Sequence, residues 1–255
     1  MAGISLHIGL NRISAAAYYP LVASDLVACE FDAQDMQLIA KRMGYQTNIL
    51  LTEQATHQAV VGAIASAAKQ LRNGDTFLLT YSGHGSQVKD TNGDEEDKLD
   101  ETWVLYNRMI TDDELYQHWQ LFASGVRILV LSDSCHSGTV TRYAPSSGLK
   151  GSLEESHPRI ERSLPLQDKA PETCAATGLL ISGCQDNQVS YDGRRNGAFT
   201  AALLSIWANG RFRGNYQSFY EAIAKKLPKY QKPNYFLFGS VTGRNRFIRQ
   251  NPFTT

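Results

Sequence analysis

The chain has 255 residues, of which 42% are hydrophobic, 10% aromatic and 20% charged. This balance is typical of a globular domain and excludes a disordered or collagen-like chain. No apolar run approaches the roughly 18–20 residues that a transmembrane helix needs, and the first residues lack the basic and apolar regions of a secretory signal. We therefore expect a cytoplasmic protein that does not associate with membranes.

The charge is distributed unevenly, although 25 Lys and Arg balance 25 Asp and Glu in the whole chain. Residues 194–255 contain eleven basic residues and one acidic residue, so they sum to +10 and residues 1–193 sum to −10. A basic segment is compatible with nucleic-acid binding or with a partner in the acidic part of the same chain. No recognisable nucleic-acid-binding module is present in it, so we expect no nucleic-acid partner.

Apolar runs alternate with helical patterns along the chain. The predicted strands, in chain order, are 4–10, 46–51, 76–81, 102–107, 127–131, 179–182 and 235–238. The predicted helices are 32–43, 59–71, 112–122, 198–207 and 219–227. The strands are continuously apolar, which is typical of a mostly parallel sheet covered by helices on both faces.

Two polar motifs follow apolar strands, at 82–85 (SGHG) and at 133–138 (DSCHSG). In parallel sheets, ligands bind beyond the carboxyl ends of the strands. A cysteine thiolate is a nucleophile, and a nearby imidazole can generate it and later protonate a leaving amine. We therefore predict that Cys135 and His84 form a catalytic pair. His136 is the less favoured base, because neighbours on an extended chain point to opposite sides.

The glycines beside His84 allow a close approach of the backbone to a substrate. We predict that the backbone N–H groups of Gly85 and Cys135 form an oxyanion hole. The alternative is that the two residues are structural, as a packed cysteine and a hydrogen-bonded histidine usually are. Their joint occurrence after apolar strands favours the catalytic interpretation.

Residues 81–87 (YSGHGSQ) and 133–138 (DSCHSG) resemble the two catalytic signatures of metacaspases, the caspase-like cysteine proteases of plants, fungi, protists and bacteria. Three further segments resemble metacaspase elements: 28–33 (ACEFDA), 110–115 (ITDDEL) and 197–200 (GAFT). The chain is most similar to the compact prokaryotic members, often called orthocaspases. The resemblance implies an α/β fold: a caspase-like, mostly parallel β-sheet with helices on both faces, in a three-layer sandwich.

The resemblance also implies one catalytic domain over residues 1–255, which we expect to be monomeric. A large-subunit-like part would span 1–138, a flexible linker 139–176 and a small-subunit-like part 177–255. Members of the family often mature as zymogens by a cut in such a linker, although it could also be a plain surface loop. The candidate autoprocessing sites are the basic residues Arg142, Lys150, Arg159, Arg162, Lys169, Arg194 and Arg195.

The pocket for the residue before the scissile bond is assigned by the same resemblance. Its residues are Asp32, Asp133, Ser82 and Cys29. Two carboxylates in a partly desolvated slot attract a guanidinium or ammonium group and repel an acidic side chain. We therefore expect peptide and protein substrates to be cut after Arg or Lys. The alternatives are that Asp32 is a helix N-cap and that Asp133 only braces its loop.

Calcium is the open question among cofactors, because many metacaspases require it. The resemblance places its ligands at Asp100, Asp112, Asp113 and a position occupied here by Arg142. Because a cation at that position repels calcium, we expect that no metal is required, with weak calcium binding as the alternative. The acidic segment 90–101 also lacks the central glycine of an EF-hand, and the four cysteines form no CxxC pair for zinc.

The sequence thus predicts a cysteine endopeptidase with a Cys135–His84 dyad that cleaves after Arg or Lys and processes itself as a zymogen. A non-peptidase hydrolase on the same dyad, such as an esterase, is disfavoured by the acidic pocket. A degenerate, non-enzymatic adaptor is disfavoured because His84 and Cys135 are both present.

Overall fold

The computed structural model describes residues 1–19, 23–89, 99–135, 174–183, 195–229, 231 and 233–255. The strands in these ranges are β1 (Gly3–Gly9), β2 (Gln46–Leu51), β3 (Thr76–Lys89), β4 (Leu99–Val104), β5 (Met109–Thr111), β6 (Arg127–Cys135), β7 (Thr177–Ser182) and β8 (Asn234–Gly239). The α-helices are α1 (Ala15–Tyr18), α2 (Cys29–Arg42), α3 (His57–Gln70), α4 (Asp112–Trp119), α5 (Ala198–Trp207), α6 (Tyr216–Lys226) and α7 (Arg244–Arg249).

In the described part of the chain, eight strands form one sheet. Six of them follow the order β2-β1-β3-β6-β7-β8, while β4 pairs with β3 and β5 pairs with β4. The pairs from β2 to β7 along this order are parallel, and β8 runs antiparallel to β7. The prediction of a mostly parallel sheet is therefore confirmed.

Helices cover both faces of the sheet and enclose two hydrophobic cores. On one face, α3 and α4 pack on strand residues such as Leu79, Phe77 and Ile128. On the other face, α2, α5, α6 and α7 pack on residues such as Leu78 and Leu129. Burial of each such side chain contributes about 1.5–3 kcal/mol before the entropic cost of ordering is subtracted. These three layers hold the carboxyl ends of the parallel strands in place.

Several predicted elements have different bounds in the structure. Helix α2 begins at Cys29, with Ala28 as its N-cap, so Asp32 is the fourth helical residue and its interpretation as an N-cap is wrong. Strand β3 continues to Lys89 because its last five residues pair with β4 in antiparallel register. The strand predicted at 102–107 is β4, which begins and ends three residues earlier.

The first turn of α2 lies directly on the end of β1. A Cβ atom at Gly9 would lie 2.3 Å from the carbonyl oxygen of Cys29, so the helix approaches the strand as closely as glycine allows. This contact brings the amino end of α2 to the same edge of the sheet as the ends of β3 and β6. No helix in the described ranges is both long and apolar enough to cross a membrane.

Candidate active site

The ends of β3 and β6 bring the predicted catalytic residues to paired positions. Their parallel register aligns Ser82 with Asp133 and His84 with Cys135. Adjacent strands lie about 4.8 Å apart, so the two backbones are separated by one strand spacing. His84 is buried, with 5% of its surface exposed.

A backbone carbonyl orients the imidazole of His84. Its Nε2 atom lies 2.8 Å from the carbonyl oxygen of Ser24. Because a carbonyl oxygen can only accept a hydrogen bond, Nε2 carries the hydrogen, and in the neutral ring the lone pair is on Nδ1. Nδ1 is then the nitrogen that can take a proton from a thiol. The sequence offers no signal for Ser24, because any residue can supply a carbonyl group.

Tyr81 shapes the segment of β3 that carries His84. Its hydroxyl donates a 2.6 Å hydrogen bond to the carbonyl oxygen of His84, and its ring stacks on Trp103 with 4.5 Å between centroids. A Cβ atom at Gly83 would lie 2.6 Å from the Tyr81 hydroxyl. Gly83 is therefore needed for this packing within a continuous strand. Gly85 pairs with Trp103 of β4, and its assignment with Cys135 to an oxyanion hole stays a prediction.

Asp32 and Asp133 meet at the residue that precedes α5. The N–H group of Gly197 donates to both carboxylate oxygens of Asp32, at 3.1 and 3.2 Å. The N–H and hydroxyl groups of Thr200 each donate to Oδ2 of Asp133 at 2.9 Å. A Cβ atom at Gly197 would lie 2.4 Å from Oδ2 of Asp133 and 3.1 Å from Oδ2 of Asp32. The two carboxylates thus share the amino end of one helix, where the helix dipole favours negative charge.

Side chains from three elements complete the surroundings of Asp32. The hydroxyl of Ser82 donates to Oδ2 of Asp32 at 2.7 Å. The Asn196 amide donates to Oδ1 of Asp32 and to Oδ2 of Asp35, both at 3.0 Å. The structure thus brings three of the four predicted pocket residues, Asp32, Ser82 and Asp133, around one space. Cys29 is buried in the same helix, one turn before Asp32. The structure also adds Asn196, a bridge between carboxylates that sequence analysis missed.

Ionisation of both Asp32 and Asp133 is unfavourable in this buried position. Burial and the neighbouring charge of Asp133 raise the pKa of Asp32 to about 7, against the lowering effect of its hydrogen bonds from Ser82, Asn196 and Gly197. The enclosed space beside the pair is about 10 Å³, which is close to the volume of one water position. The pair therefore carries less than two full negative charges near neutral pH.

The acids predicted as weak calcium ligands lie on two elements. Asp100 is a buried residue of β4, and Asp112 and Asp113 begin α4, where acids favour the helix dipole. Among the described residues, no three His, Cys, Asp or Glu are arranged to hold a metal ion. Residues 90–98 and Arg142 lie outside the described residues, so the expectation about calcium stays a prediction.

Most of the predicted processing region also lies outside the described residues. This applies to the candidate cut sites Arg142, Lys150, Arg159, Arg162, Lys169 and Arg194. The alternative catalytic base, His136, also lies outside the described residues. Arg195 is described: its guanidinium nitrogen lies 3.4 Å from Oδ1 of Asp35, and its central carbon lies 5.8 Å from the ring centroid of Phe31.

Comparisons with known proteins place this geometry in a family. The profile of the caspase domain, peptidase family C14, matches residues 13–242. Metacaspase-1 of Schizosaccharomyces pombe is 28% identical over 250 residues, which cover 78% of this chain and 57% of that protein. Metacaspase-1 of Kluyveromyces lactis is 26% identical and is also covered to 57%. The chain thus spans just over half the length of these curated relatives.

Two solved structures share the fold. A protein of Geobacter sulfurreducens is 42% identical, with a TM-score of 0.81 and coverage of 100% of this chain and 99% of that one. Caspase-1 of Spodoptera frugiperda is 11% identical, with a TM-score of 0.60 and coverage of 93% and 86%. At that identity the second likeness concerns the fold alone, and it confirms the predicted caspase-like sandwich.

Proposed function

The chain belongs to the caspase-domain family, and on that premise we propose that it is a cysteine endopeptidase that cleaves peptide bonds after Arg or Lys. The observation that carries the proposal is the in-register pairing of His84 with Cys135, two residues beyond the pair Ser82 and Asp133. The same two strands thus supply the proposed dyad and half of the proposed pocket.

In the proposed reaction, Nδ1 of His84 takes the thiol proton of Cys135 while the Ser24 carbonyl holds the opposite nitrogen. The thiolate attacks the peptide carbonyl carbon, and the N–H groups of Gly85 and Cys135 stabilise the oxyanion. The imidazolium then protonates the leaving amine as the C–N bond breaks. A water molecule, deprotonated by the same imidazole, hydrolyses the acyl-enzyme and releases the carboxylate product.

The proposed specificity rests on the buried acids Asp32 and Asp133. The guanidinium group of a substrate arginine supplies up to five N–H donors. Its positive charge neutralises the two carboxylates, whose negative charge is compensated only in part by hydrogen bonds within the folded chain. Because the enclosed space beside the acids is only about 10 Å³, the guanidinium has to exchange with donors such as the amide of Asn196. An acidic side chain in the same place would be repelled.

Hydrolysis of short peptides that differ only before the scissile bond tests the activity. We expect cleavage after Arg and Lys, no cleavage after Asp or Leu, and no cleavage at all by Cys135→Ala. Comparable rates after Leu would contradict the acidic pocket. An active Cys135→Ala protein would contradict the proposed nucleophile.

The variant Asp133→Asn tests the pocket with little change in shape. Its amide oxygen can still accept the two hydrogen bonds that Thr200 donates. Loss of a buried charge partner typically costs about 2–5 kcal/mol, so kcat/KM for Arg peptides should fall at least about 30-fold. The control Glu221→Gln removes an exposed charge on α6 and should leave the rate unchanged. A wild-type rate in Asp133→Asn would show that Asp133 does not belong to the pocket.

We also propose that the enzyme needs no metal. The rate in excess chelator should equal the rate with added calcium. An increase of more than about tenfold on adding calcium, well beyond a screening effect, would instead assign a functional site to acids such as Asp100, Asp112 and Asp113.

Self-processing is the last part of the proposal. Arg195 contacts Asp35 and Phe31, and we therefore favour a cut in the linker 139–176 over a cut after Arg195. Prolonged incubation of the wild type should give two fragments, and sequencing their new termini should find a basic residue before the cut. An intact wild-type chain, or a cut Cys135→Ala chain, would contradict self-processing.

A further inference from the structure

Strand β3 changes its partner immediately after the proposed base. His84 is the last residue of β3 that pairs with β6, and Gly85 is the first that pairs with β4. The direction of the main chain at this point decides where the imidazole of His84 lies. A group that fixes the main chain here therefore also sets the distance from the imidazole to Cys135.

The side chain of Tyr81 supplies such a group. Its hydroxyl donates a hydrogen bond to the carbonyl oxygen of His84 at 2.6 Å and lies 3.2 Å from the carbonyl oxygen of Val104. Val104 is the last residue of β4, so the hydroxyl joins the two strands where their pairing begins. A phenol has one hydrogen to donate, and the shorter distance assigns it chiefly to His84.

Burial and two neighbours hold Tyr81 in this position. Its residue surface is only 2% exposed, and its ring lies nearly parallel to the indole of Trp103, with 3° between the planes. Gly83 leaves the room that the hydroxyl needs, because a Cβ atom there would lie 2.6 Å from it. Burial also raises the pKa of Tyr81 well above its ordinary value of 10.0, so the hydroxyl keeps its hydrogen and stays a donor near neutral pH.

The Tyr81 hydroxyl lies on the face of the sheet away from the acidic pocket. Side chains alternate along a strand, so Tyr81 packs in the core under α3 and α4. The hydroxyl of the next residue, Ser82, instead reaches Asp32 on the opposite face. Removal of the Tyr81 hydroxyl should therefore disturb the base and spare the binding of the substrate arginine.

We propose that Tyr81 is a positioning residue for the catalytic base. Its hydroxyl fixes the main chain of His84, while the carbonyl of Ser24 fixes the imidazole at Nε2. Held from both sides, the ring presents Nδ1 to the thiol of Cys135. This inference rests on the proposed function, in which Nδ1 takes the thiol proton. A displacement of about 1 Å in such an arrangement can cost about 100-fold in rate.

Alkylation of Cys135 tests the proposal without a peptide substrate. The full chain is treated with iodoacetamide between about pH 5 and about pH 10, and the labelled peptide that contains Cys135 is quantified by mass spectrometry. A thiol beside a well-placed imidazole ionises below its usual pKa of about 8.5. At about pH 6 we expect Tyr81→Phe to react roughly tenfold more slowly than the wild type. At about pH 10 the rates should be equal, because a thiol without assistance is then ionised too.

Two further variants set the limits of this measurement. His84→Ala marks the complete loss of the base and should be at least as slow as Tyr81→Phe at about pH 6. Tyr220→Phe is the matched control: it loses a 2.8 Å hydrogen bond from a tyrosine hydroxyl to the carbonyl of Pro233 and should react like the wild type. A wild-type profile in Tyr81→Phe, or an equal fall in Tyr220→Phe, would overturn the positioning role. A wild-type profile in His84→Ala would instead overturn the proposed dyad, and the positioning role with it.

Hydrolysis of Arg peptides separates positioning from binding. Tyr81→Phe keeps the ring that stacks on Trp103 and should lower kcat about 10–100-fold while changing KM by less than about twofold. Gly83→Ala should also lower kcat, because its Cβ displaces the hydroxyl. In the Tyr81→Phe background it should lower kcat by less than about threefold, since no hydrogen bond to the His84 carbonyl is left to lose.

An effect of Tyr81→Phe on KM alone, or an equal loss from Gly83→Ala in both backgrounds, would overturn the proposal. If the wild type hydrolyses no peptide at all, the proposed function fails, while the alkylation profiles still decide whether Tyr81 positions His84.

Discussion

The carboxyl group of Asp32 links the proposed pocket to the stability of the fold. Burial and the charge of Asp133 raise its pKa from an ordinary 3.8 to about 7. Between these values the folded chain binds more protons than the unfolded chain does. The free energy of unfolding therefore falls as the pH rises through this window, and the loss is complete above the raised pKa.

We predict that Asp32→Asn removes this pH-dependent loss of stability. The new amide can donate to the Ser82 hydroxyl that now donates to Asp32, so the packing is kept while the second buried charge disappears. Each pKa unit corresponds to about 1.4 kcal/mol, and each kcal/mol to roughly 2–4 °C in a domain of this size. In the Cys135→Ala background, Asp32→Asn should raise the melting temperature by several degrees at about pH 8 but hardly at about pH 5. Equal shifts at both pH values would contradict the assigned pKa.

Asn196 donates hydrogen bonds to two of the acids of α2, Asp32 and Asp35, and its removal should lower the stability of the fold. We predict that Asn196→Asp, which replaces two donors by a third carboxylate, lowers the melting temperature by roughly 5–10 °C at about pH 8. The drop should shrink at about pH 5, because Asp32, whose pKa is raised to about 7, is then protonated and no longer repels the new carboxylate. Asn196→Ala is the control: it loses the same hydrogen bonds to Asp32 and Asp35 without adding charge, so its drop should be smaller. A larger drop in Asn196→Ala would show that packing, not charge, dominates here.

At the scale of elements, the start of α5 depends on the absence of a side chain at Gly197. We predict that Gly197→Ala lowers kcat/KM for Arg peptides at least about 100-fold, because its Cβ would lie 2.4 Å from Oδ2 of Asp133 and would displace the acid. Gly62→Ala is a matched control within α3, where a Cβ would meet nothing within 4 Å. That variant should gain about 0.5–1 kcal/mol of stability from helix propensity and keep its activity. Full activity in Gly197→Ala would show that the pocket does not depend on the conformation at the start of α5.

The elements also show which features a sequence can predict. The buried parallel strands were predictable because their apolar runs are continuous, as at 127–131. The placement of His84 and Cys135 on neighbouring strands was predictable because their motifs follow two such runs. The extension of β3 to Lys89 was not, because it depends on pairing with β4. The contacts of Ser24 and Asn196 join residues more than fifty positions apart, and a backbone carbonyl leaves no signature in its own side chain.

At the scale of the whole molecule, opposite charges and a shared sheet both connect the two parts of the chain. Residues 1–138, before the linker, sum to −8, and residues 177–255, after it, sum to +8. Independently of charge, β6 pairs with β7 through six consecutive residue pairs. One core also combines Leu129 and Leu131 of β6 with Leu179, Ile181 and Phe199 beyond the linker. Hydrophobic burial of this kind is not screened by salt, whereas attraction between exposed charges is.

We predict that a cut in the linker 139–176 leaves the two parts associated even in about 1 M salt, where the Debye length is only about 3 Å. The measurement uses Cys135→Ala with the recognition site of a sequence-specific protease inserted into the linker, so that the cut does not depend on the proposed self-processing. The cut protein should elute from size-exclusion chromatography at the position of the uncut chain and separate only in denaturant. The shared sheet and core account for this outcome, because their contacts persist when charges are screened. Separation in salt alone would instead show that the opposite charges hold the parts together.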